Sequence, residues 1–325
     1  LKIHAYGNKV VQATGGRIVH VVTSVPGGQT MGLKEQRRDE LVEEGEEIMQ
    51  LVRDYADFVY DIYEEDNLVC RQFPEMETNF MALVQGERND WDIYDGEGRI
   101  ISPTGKELAR FDTSDYHDHI QEAVWEHSST KVPYYKPEGV GGIIRVGSLA
   151  RLNVASQIPF PISKELENRY LDLFPRPCLQ VQGFNLARIP ELMAGLEETL
   201  TLLRDDMILG EDIRVPVKPR AGEGASFIEA PRGILTHHYN IDENGIIKYS
   251  NIIAPTTYNH PLMQQDLLAN AKEYSHELAD PEKRSEACWR LEKIVRAYDP
   301  CTSCSVHMVD FDIEVDGTMV EVREV

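Results

Sequence analysis

From Lys34 onward, apolar residues recur at helical spacing: Leu41, Ile48, Leu51, Tyr55, Phe58 and Ile62, with Glu, Asp and Arg filling the other face. A stripe that long commits the early part of the chain to an extended helix that needs a packing partner. Helical patterns return at 163–174, at 188–206 and in two runs after residue 255. The second of those two has start signals in Asp280 as N-cap and Pro281 at the first helical position, with a buried stripe of Ala287, Leu291, Ile294, Val295 and Tyr298.

Strand signals lie between these runs. GNKVVQATGGRIVH (7–20) reads as short β-prone runs broken by Gly pairs, and SVPGGQTMG (24–32) as a loop. DWDIYDGEGRIIS (90–102) predicts a hairpin turning at Asp95–Gly98. DTSDYHDHIQEAVWEH (112–127) predicts a helix capped by Asp112 or Ser114, and 128–162, rich in Gly, Pro and Tyr, reads as irregular, packed structure. GILTHHYNIDENGIIKYSNIIAP (233–255) predicts strand, turn at Asp242–Gly245, strand; the tail 308–325 alternates as a hairpin turning at Asp316–Gly317. The expected fold is α+β, mainly helical, a helix-bundle core with peripheral β hairpins.

With 33 Lys and Arg against 55 Asp and Glu, the net charge of −22 argues against a nucleic-acid or anionic-membrane partner. There is no run of about 18 apolar residues, so no membrane span is expected. Five cysteines in 325 residues do not make a disulfide scaffold, and a reducing cytoplasm is the expected compartment. Cys70, Cys178 and Cys288 are isolated in sequence and read as buried small hydrophobes.

Cys301 and Cys304 are different, because they sit in DPCTSCSVH (299–307). Pro300 cannot continue the preceding helix, but it can open a fresh turn with Asp299 as cap. Thiolates three apart lie on one face, and the positive end of a turn favours the ionised sulfur. His307 continues the spacing. Three readings stay open on the motif alone: metal ligation, a dithiol redox pair without the βαβ context such pairs have, and unused thiols.

A second segment narrows the choice. GEGASFIEAPRGILTHHYNIDENGIIKYSNIIAPTTYN (222–259), taken with DPCTSCSVH, resembles the large subunit of nickel–iron hydrogenases, the soluble, cytoplasmic, bidirectional group in particular. GGRIVHVVTSVPGG (15–28), DWDIYDGEGRIISPTGK (90–106), VPYYKPEGVGGIIRVGSLARLNVA (132–155) and FPRPCLQVQGFNLARIPELM (174–193) extend the likeness along nearly the whole chain in the same order.

The resemblance implies heterolytic cleavage of H2, or its reverse, at a Ni–Fe(CN)2(CO) centre. Cys301 matches a terminal nickel thiolate and the preferred proton acceptor, and Cys304 a thiolate bridging nickel and iron. Arg232 matches a guanidinium over the iron's cyanides, Thr256 a donor to one cyanide, and Asp299 a carboxylate near Arg232. His307 and the carbonyl of Ile252 match ligands of a separate magnesium or iron ion. Electrons must leave through iron–sulfur clusters. This chain shows no cluster motif, so the implied partners are an iron–sulfur small subunit together with further electron-transfer subunits.

Two departures accompany the likeness. The family holds nickel with four cysteines, two from an RxCGxC segment that does not occur in this chain, which opens on Leu1 and is expected to begin inside a longer gene product. The family is also usually cut after the histidine of DPCxxCxxH by a maturation endopeptidase. Here 308–325 follow as a C-terminal extension, so 1–307 is expected to be a partial catalytic domain and the whole an unprocessed or metal-free precursor. The rival readings are a maturation client without redox chemistry, a non-catalytic homologue of the respiratory complex I type, and an unrelated zinc protein.

Overall fold

The computed structural model describes residues 1–65, 73, 75–128 and 130–301, together with the backbone of 311–315 and 318–322. In chain order the helices are α1 (Lys2–Gly15), α2 (Glu35–Glu65), α3 (Tyr116–His119), α4 (Ser148–Val154), α5 (Pro161–Leu173), α6 (Gly183–Arg204), α7 (Pro255–Glu273), α8 (Ser275–Ala279) and α9 (Arg284–Tyr298). The strands are β1 (Ser24–Val25), β2 (Gly28–Gln29), β3 (Asn79–Gln85), β4 (Asp90–Trp91), β5 (Glu97–Ile101), β6 (Glu107–Phe111), β7 (Ile120–Ala123), β8 (Val132–Tyr135), β9 (Ile144–Arg145), β10 (Gly222–Ala230), β11 (Gly233–Ile241), β12 (Ile247–Ile253), β13 (Phe311–Val315) and β14 (Thr318–Val322). The fold is α+β and mainly helical.

Strand β3 organises the interior. It is flanked by β4 and β5 antiparallel and by β9 parallel, with β6 beyond β5. Because side chains alternate along a strand, Phe80, Ala82 and Val84 face the helical cluster of α4, α5, α6, α7 and α9, while Met81 and Leu83 face the sheet β10–β11–β12. All five are buried, so β3 runs between two apolar clusters and fixes one relative to the other. A third cluster joins Tyr6 of α1, Leu41, Ile48 and Val52 of α2, and Met193, Leu196, Leu200 and Leu203.

Several expectations are revised. Residues 7–20 are not strand. Helix α1 carries them to Gly15, and Gly16 at φ 80° stops it with its N–H on Gln12 O, so the Gly pair serves as a C-cap. The cost of Val10 and Val11 in a helix is a few tenths of a kcal/mol each, which the packing of Tyr6 and its bond to Leu41 O (3.0 Å) outweighs. Helix α2 forms, but it buries Leu41, Ile48, Val52, Ala56 and Tyr60, and leaves Tyr55, Phe58 and Ile62 exposed.

The 90–102 hairpin does not form either. Strands β4 and β5 both pair with β3, which separates them, and the Asp92 carboxylate turns the link by accepting from the Tyr94 and Asp95 amides. Asp112 does cap a start, accepting from Ser114 N at 2.8 Å, yet the helix ends at His119 and Ile120–Ala123 pair with β8. Residues 128–162 hold β8, β9 and a buried α4 rather than irregular chain.

The other patterns correspond to elements: α5 and α6, the β11–β12 pair, α7 and α9, and the β13–β14 hairpin. Asp280 accepts from Glu282 N in a turn that precedes α9, which itself begins at Arg284. Cys178 and Cys288 are buried as expected, and Cys70 lies outside the described residues. Among the described residues, no helix is long and apolar enough to cross a membrane.

Candidate functional site

Three segments far apart in sequence meet at one place: the β10–β11 turn, the start of α7 and the end of α9. At the first, Pro231 and Arg232 link Ala230 to Gly233, which pair across the hairpin. Gly233 sits at φ +131°, and a Cβ there would fall 2.4 Å from Val146 Cγ2, so only glycine allows this approach to the β9–α4 link. Gly147, at φ +99°, presses on the same turn from the other side, where a Cβ would be 2.8 Å from Arg232 O. Asn259 of α7 ties both together, accepting from Val146 N (3.0 Å) and donating to Val146 O (3.1 Å) and Arg232 O (3.4 Å).

At the second segment, Ala254 is extended and Pro255 opens α7, a placement that sacrifices no helical hydrogen bond. Thr256 follows, buried in the first turn, and its Oγ1 accepts from Cys301 N at 3.3 Å.

The third segment is the most heavily restrained. The last turn of α9 presents unsatisfied carbonyls and the negative end of the helix dipole. Three guanidinium groups converge there. Arg188 Nη2 donates to Ala297 O at 2.7 Å, Arg145 Nη2 to Tyr298 Oη at 3.0 Å, and Arg232 Nε to Asp299 O. Arg145 and Asp266 are fully buried. Tyr298 Oη completes their triad by donating to Asp266 Oδ2 at 2.5 Å. Burial drives the Asp266 carboxyl pKa up, against the pull of Arg145 and the Tyr298 hydroxyl.

The turn that Asp299 is expected to cap runs outside the described residues. At φ 50° and ψ 53° Asp299 is the left-handed C-cap of α9, its N–H returning to Val295 O and Arg296 O. That conformation is open to Asp because its short polar side chain bonds locally. The carboxylate faces Arg232, with Oδ2 3.3 Å from Nε and Oδ1 3.4 Å from Nη2. Their side chains are 35% and 51% exposed, so the ion pair itself contributes at most about 1 kcal/mol. What places Arg232 is therefore the backbone around it.

The structure thus brings Arg232, Asp299, Thr256 and Cys301 together. Ile252 lies on edge strand β12 opposite His237, its side chain exposed, four residues before Thr256. Cys304 and His307 lie outside the described residues. Among the described residues no three His, Cys, Asp or Glu side chains cluster as a ready-made metal site. A cysteine held at the positive start of α7, beside a guanidinium with donors to spare, suits one corner of a thiolate-bound metal whose other ligands are small anions. The described residues supply that corner and not a complete coordination sphere.

Sequence reasoning missed the ionic cluster beneath the turn. Arg151 of α4 is buried. Its Nε and Nη2 donate to Glu191 (2.5 and 2.7 Å), Nη1 to Glu229 Oε2 (2.8 Å) and Ala230 O (3.1 Å), and Nη2 also to Pro231 O (3.3 Å). Glu229 pairs here with Arg151 and accepts from Leu83 N at 3.0 Å. Burial alone lowers the Arg151 pKa, but the two carboxylates raise it above its ordinary value; burial raises that of Glu229. The available signal was an arginine inside an apolar run, LARL, which demands buried partners. His238 is bonded to Tyr116 Oη (3.1 Å) and Glu223 Oε1 (2.9 Å).

A groove of about 790 Å³ opens beside this cluster, lined in part by Tyr55, Trp91, Arg188, Glu191, Leu192 and Asp299.

Residues 176–307 match the family described as Nickel-dependent hydrogenase. The chain is 35% identical over 266 residues to one subunit of the vhu F420-non-reducing hydrogenase of Methanocaldococcus jannaschii, covering 82% of this chain and 63% of that protein. It is 34% identical over 316 residues to the NAD-reducing hydrogenase HoxS subunit beta of Cupriavidus necator, covering 94% and 64%. The chain therefore spans less than two thirds of the length of either relative. Its fold superposes on the crystal structure of an NAD+-reducing [NiFe]-hydrogenase in the H2-reduced state with a TM-score of 0.86 at 30% identity, covering 93% of this chain and 67% of that one.

Proposed function

The chain belongs to the nickel-dependent hydrogenases, and from that premise we propose that it serves in the catalytic large subunit of a nickel–iron hydrogenase, cleaving H2 reversibly into protons and electrons. The observation that carries this reading is the convergence of Arg232, Asp299, Thr256 and Cys301 from three separated segments. The centre, when bound, supplies the redox chemistry and the electrophile against which H2 is split.

The protein's part is then derived from its own groups. Cys301 and Cys304 provide thiolates, completed by sulfur donors from elsewhere in the assembled enzyme. Arg232 would present N–H donors to anionic ligands of the centre, and Asp299 contacts one edge of the guanidinium so that the other edge stays available. With the centre bound, Cys301 Sγ would hold the proton, because a guanidinium is too weak a base to exchange protons freely near neutral pH. Thr256 fixes the Cys301 backbone. His307, with the Ile252 carbonyl, would hold a magnesium or iron ion.

Electrons leave through an iron–sulfur small subunit, then through further electron-transfer subunits. The relatives are named as subunits of F420-non-reducing and NAD-reducing hydrogenases, which supports a multi-subunit enzyme, and we place it in the cytoplasm as part of this proposal. We also propose that 308–325 form an extension removed after His307 by a maturation endopeptidase. The β13–β14 hairpin, which begins past His307 and forms its own two-stranded sheet, supports this boundary.

The test is metal analysis and infrared spectroscopy of the protein purified with its co-expressed partners. Nickel together with iron, the iron in excess because the partners' clusters also hold it, and bands from bound cyanide and carbon monoxide are expected. Zinc alone, without those bands, would overturn the reading.

A further inference from the structure

We propose that Arg151 is the positioning residue for Arg232, acting through the backbone of the β10–β11 turn; the inference rests on the hydrogenase reading above. Arg232 is more than a third exposed and its ion pair with the Asp299 carboxylate is weak, so the backbone that carries it must fix the direction from which it meets the Asp299 carbonyl. The turn, by contrast, is held from below. Arg151 donates to Ala230 O and Pro231 O, the two carbonyls just before Arg232. Its other N–H bonds go to Glu191 and Glu229. Glu191 also accepts from the Trp91 indole (3.2 Å), and Glu229 from the β3 amide of Leu83. A buried guanidinium thus ties the turn to the strand at the centre of the fold.

The arrangement is specific to arginine. Five N–H donors in a rigid plane serve two carboxylates and two carbonyls at once. Lysine keeps the charge and some of the carboxylate contacts, but cannot span both glutamates and both carbonyls. Arg151→Lys therefore preserves the buried charge balance while releasing the turn, and Arg232 shifts from its place against Asp299. A displacement of about 1 Å in a group that orients the reacting centre lowers turnover up to roughly 100-fold.

The experiment compares infrared spectra of the assembled holoenzyme in wild type, Arg151→Lys, Arg232→Lys and the double variant. Arg151→Lys and Arg232→Lys should move the cyanide bands in the same direction, and in the Arg232→Lys background Arg151→Lys should move them no further. Unchanged bands in Arg151→Lys, or an additive double variant, would overturn the proposal. If wild type lacks the bands, the hydrogenase reading fails instead. The positioning claim is then decided by hydrogen exchange on the full chain: Arg151→Lys should speed exchange in residues 230–233 at least tenfold against an unchanged remainder, and equal rates would overturn it. Should Arg151→Lys not fold, Glu229→Gln, which keeps the side-chain shape but faces Arg151 with a donor, takes its place in both measurements.

Discussion

Arg232 and Asp299, 67 residues apart in sequence, meet twice: the guanidinium donates to the aspartate's main-chain carbonyl and also contacts its carboxylate. The carbonyl bond requires Asp299 to leave the helix in the left-handed conformation, so the cap of α9 and the reach of Arg232 specify each other. An arginine held this way cannot swing freely, and its unused N–H groups keep a defined direction.

Arg232→Lys should accordingly lower H2 oxidation by about 100-fold at unchanged metal content, since a compact ammonium cannot bond the carbonyl and present a second edge together. Asp299→Asn keeps the carbonyl bond and should cost less. Assays normalised to bound nickel separate lost chemistry from lost assembly.

Thr256→Val removes the acceptor that Cys301 N–H uses at 3.3 Å. The bond is long, so the expected loss is about 1 kcal/mol, read by denaturant unfolding. Thr256→Ser keeps the oxygen and should recover most of that loss. Destabilisation by Thr256→Ser with none in Thr256→Val would mean that the methyl group, not the hydroxyl, matters.

Arg145→Met should destabilise by about 3–5 kcal/mol, because it strands Asp266 and the Tyr298 hydroxyl without their buried cation. The double variant Arg145→Met/Asp266→Leu removes both charges and should unfold at a higher denaturant midpoint than Arg145→Met alone.

Cys178 carries an alkaline signature. Burial raises its thiol pKa from 9.0 to about 11. A folded pKa above the unfolded one means that this contribution is complete below pH 9 and is lost as pH rises through about 11. Buried Tyr60 and Tyr258 shift in the same direction and steepen the loss at higher pH. Stability titrated from pH 8 to 11 should fall, and Cys178→Ala should flatten the first part of the curve. Iodoacetamide should leave Cys178 unmodified until the protein unfolds.

Much of the candidate site was legible because its residues occur in dense, unusual strings. EAPRG, APTTYN and DPCTSCSVH each set a proline beside a side chain that can hydrogen-bond, carry charge or ligate a metal. What the strings did not reveal was their support. Arg151 lies 40 residues from Glu191 and 78 from Glu229 along the chain, and nothing local says which buried arginine meets which glutamate. The fold misreadings have the same origin. Val10 and Val11 favour strand locally, yet Tyr6 docks its segment as helix against Leu41. Helix α2 carries two apolar stripes, and only tertiary contact chooses Val52, Ala56 and Tyr60 over Tyr55, Phe58 and Ile62.

The convergence of Arg145, Arg188 and Arg232 on one helix end also bears on timing. The restraints on that end span sequence gaps of 153, 109 and 67 residues, and Thr256 adds one of 45. Contacts so distant along the chain close late in folding, since each must first overcome the entropy of a long loop. The resting place of Cys301 is therefore among the last features to mature. Whatever delivers a metal here would find a substantially finished body and a cysteine arm that has only just been secured.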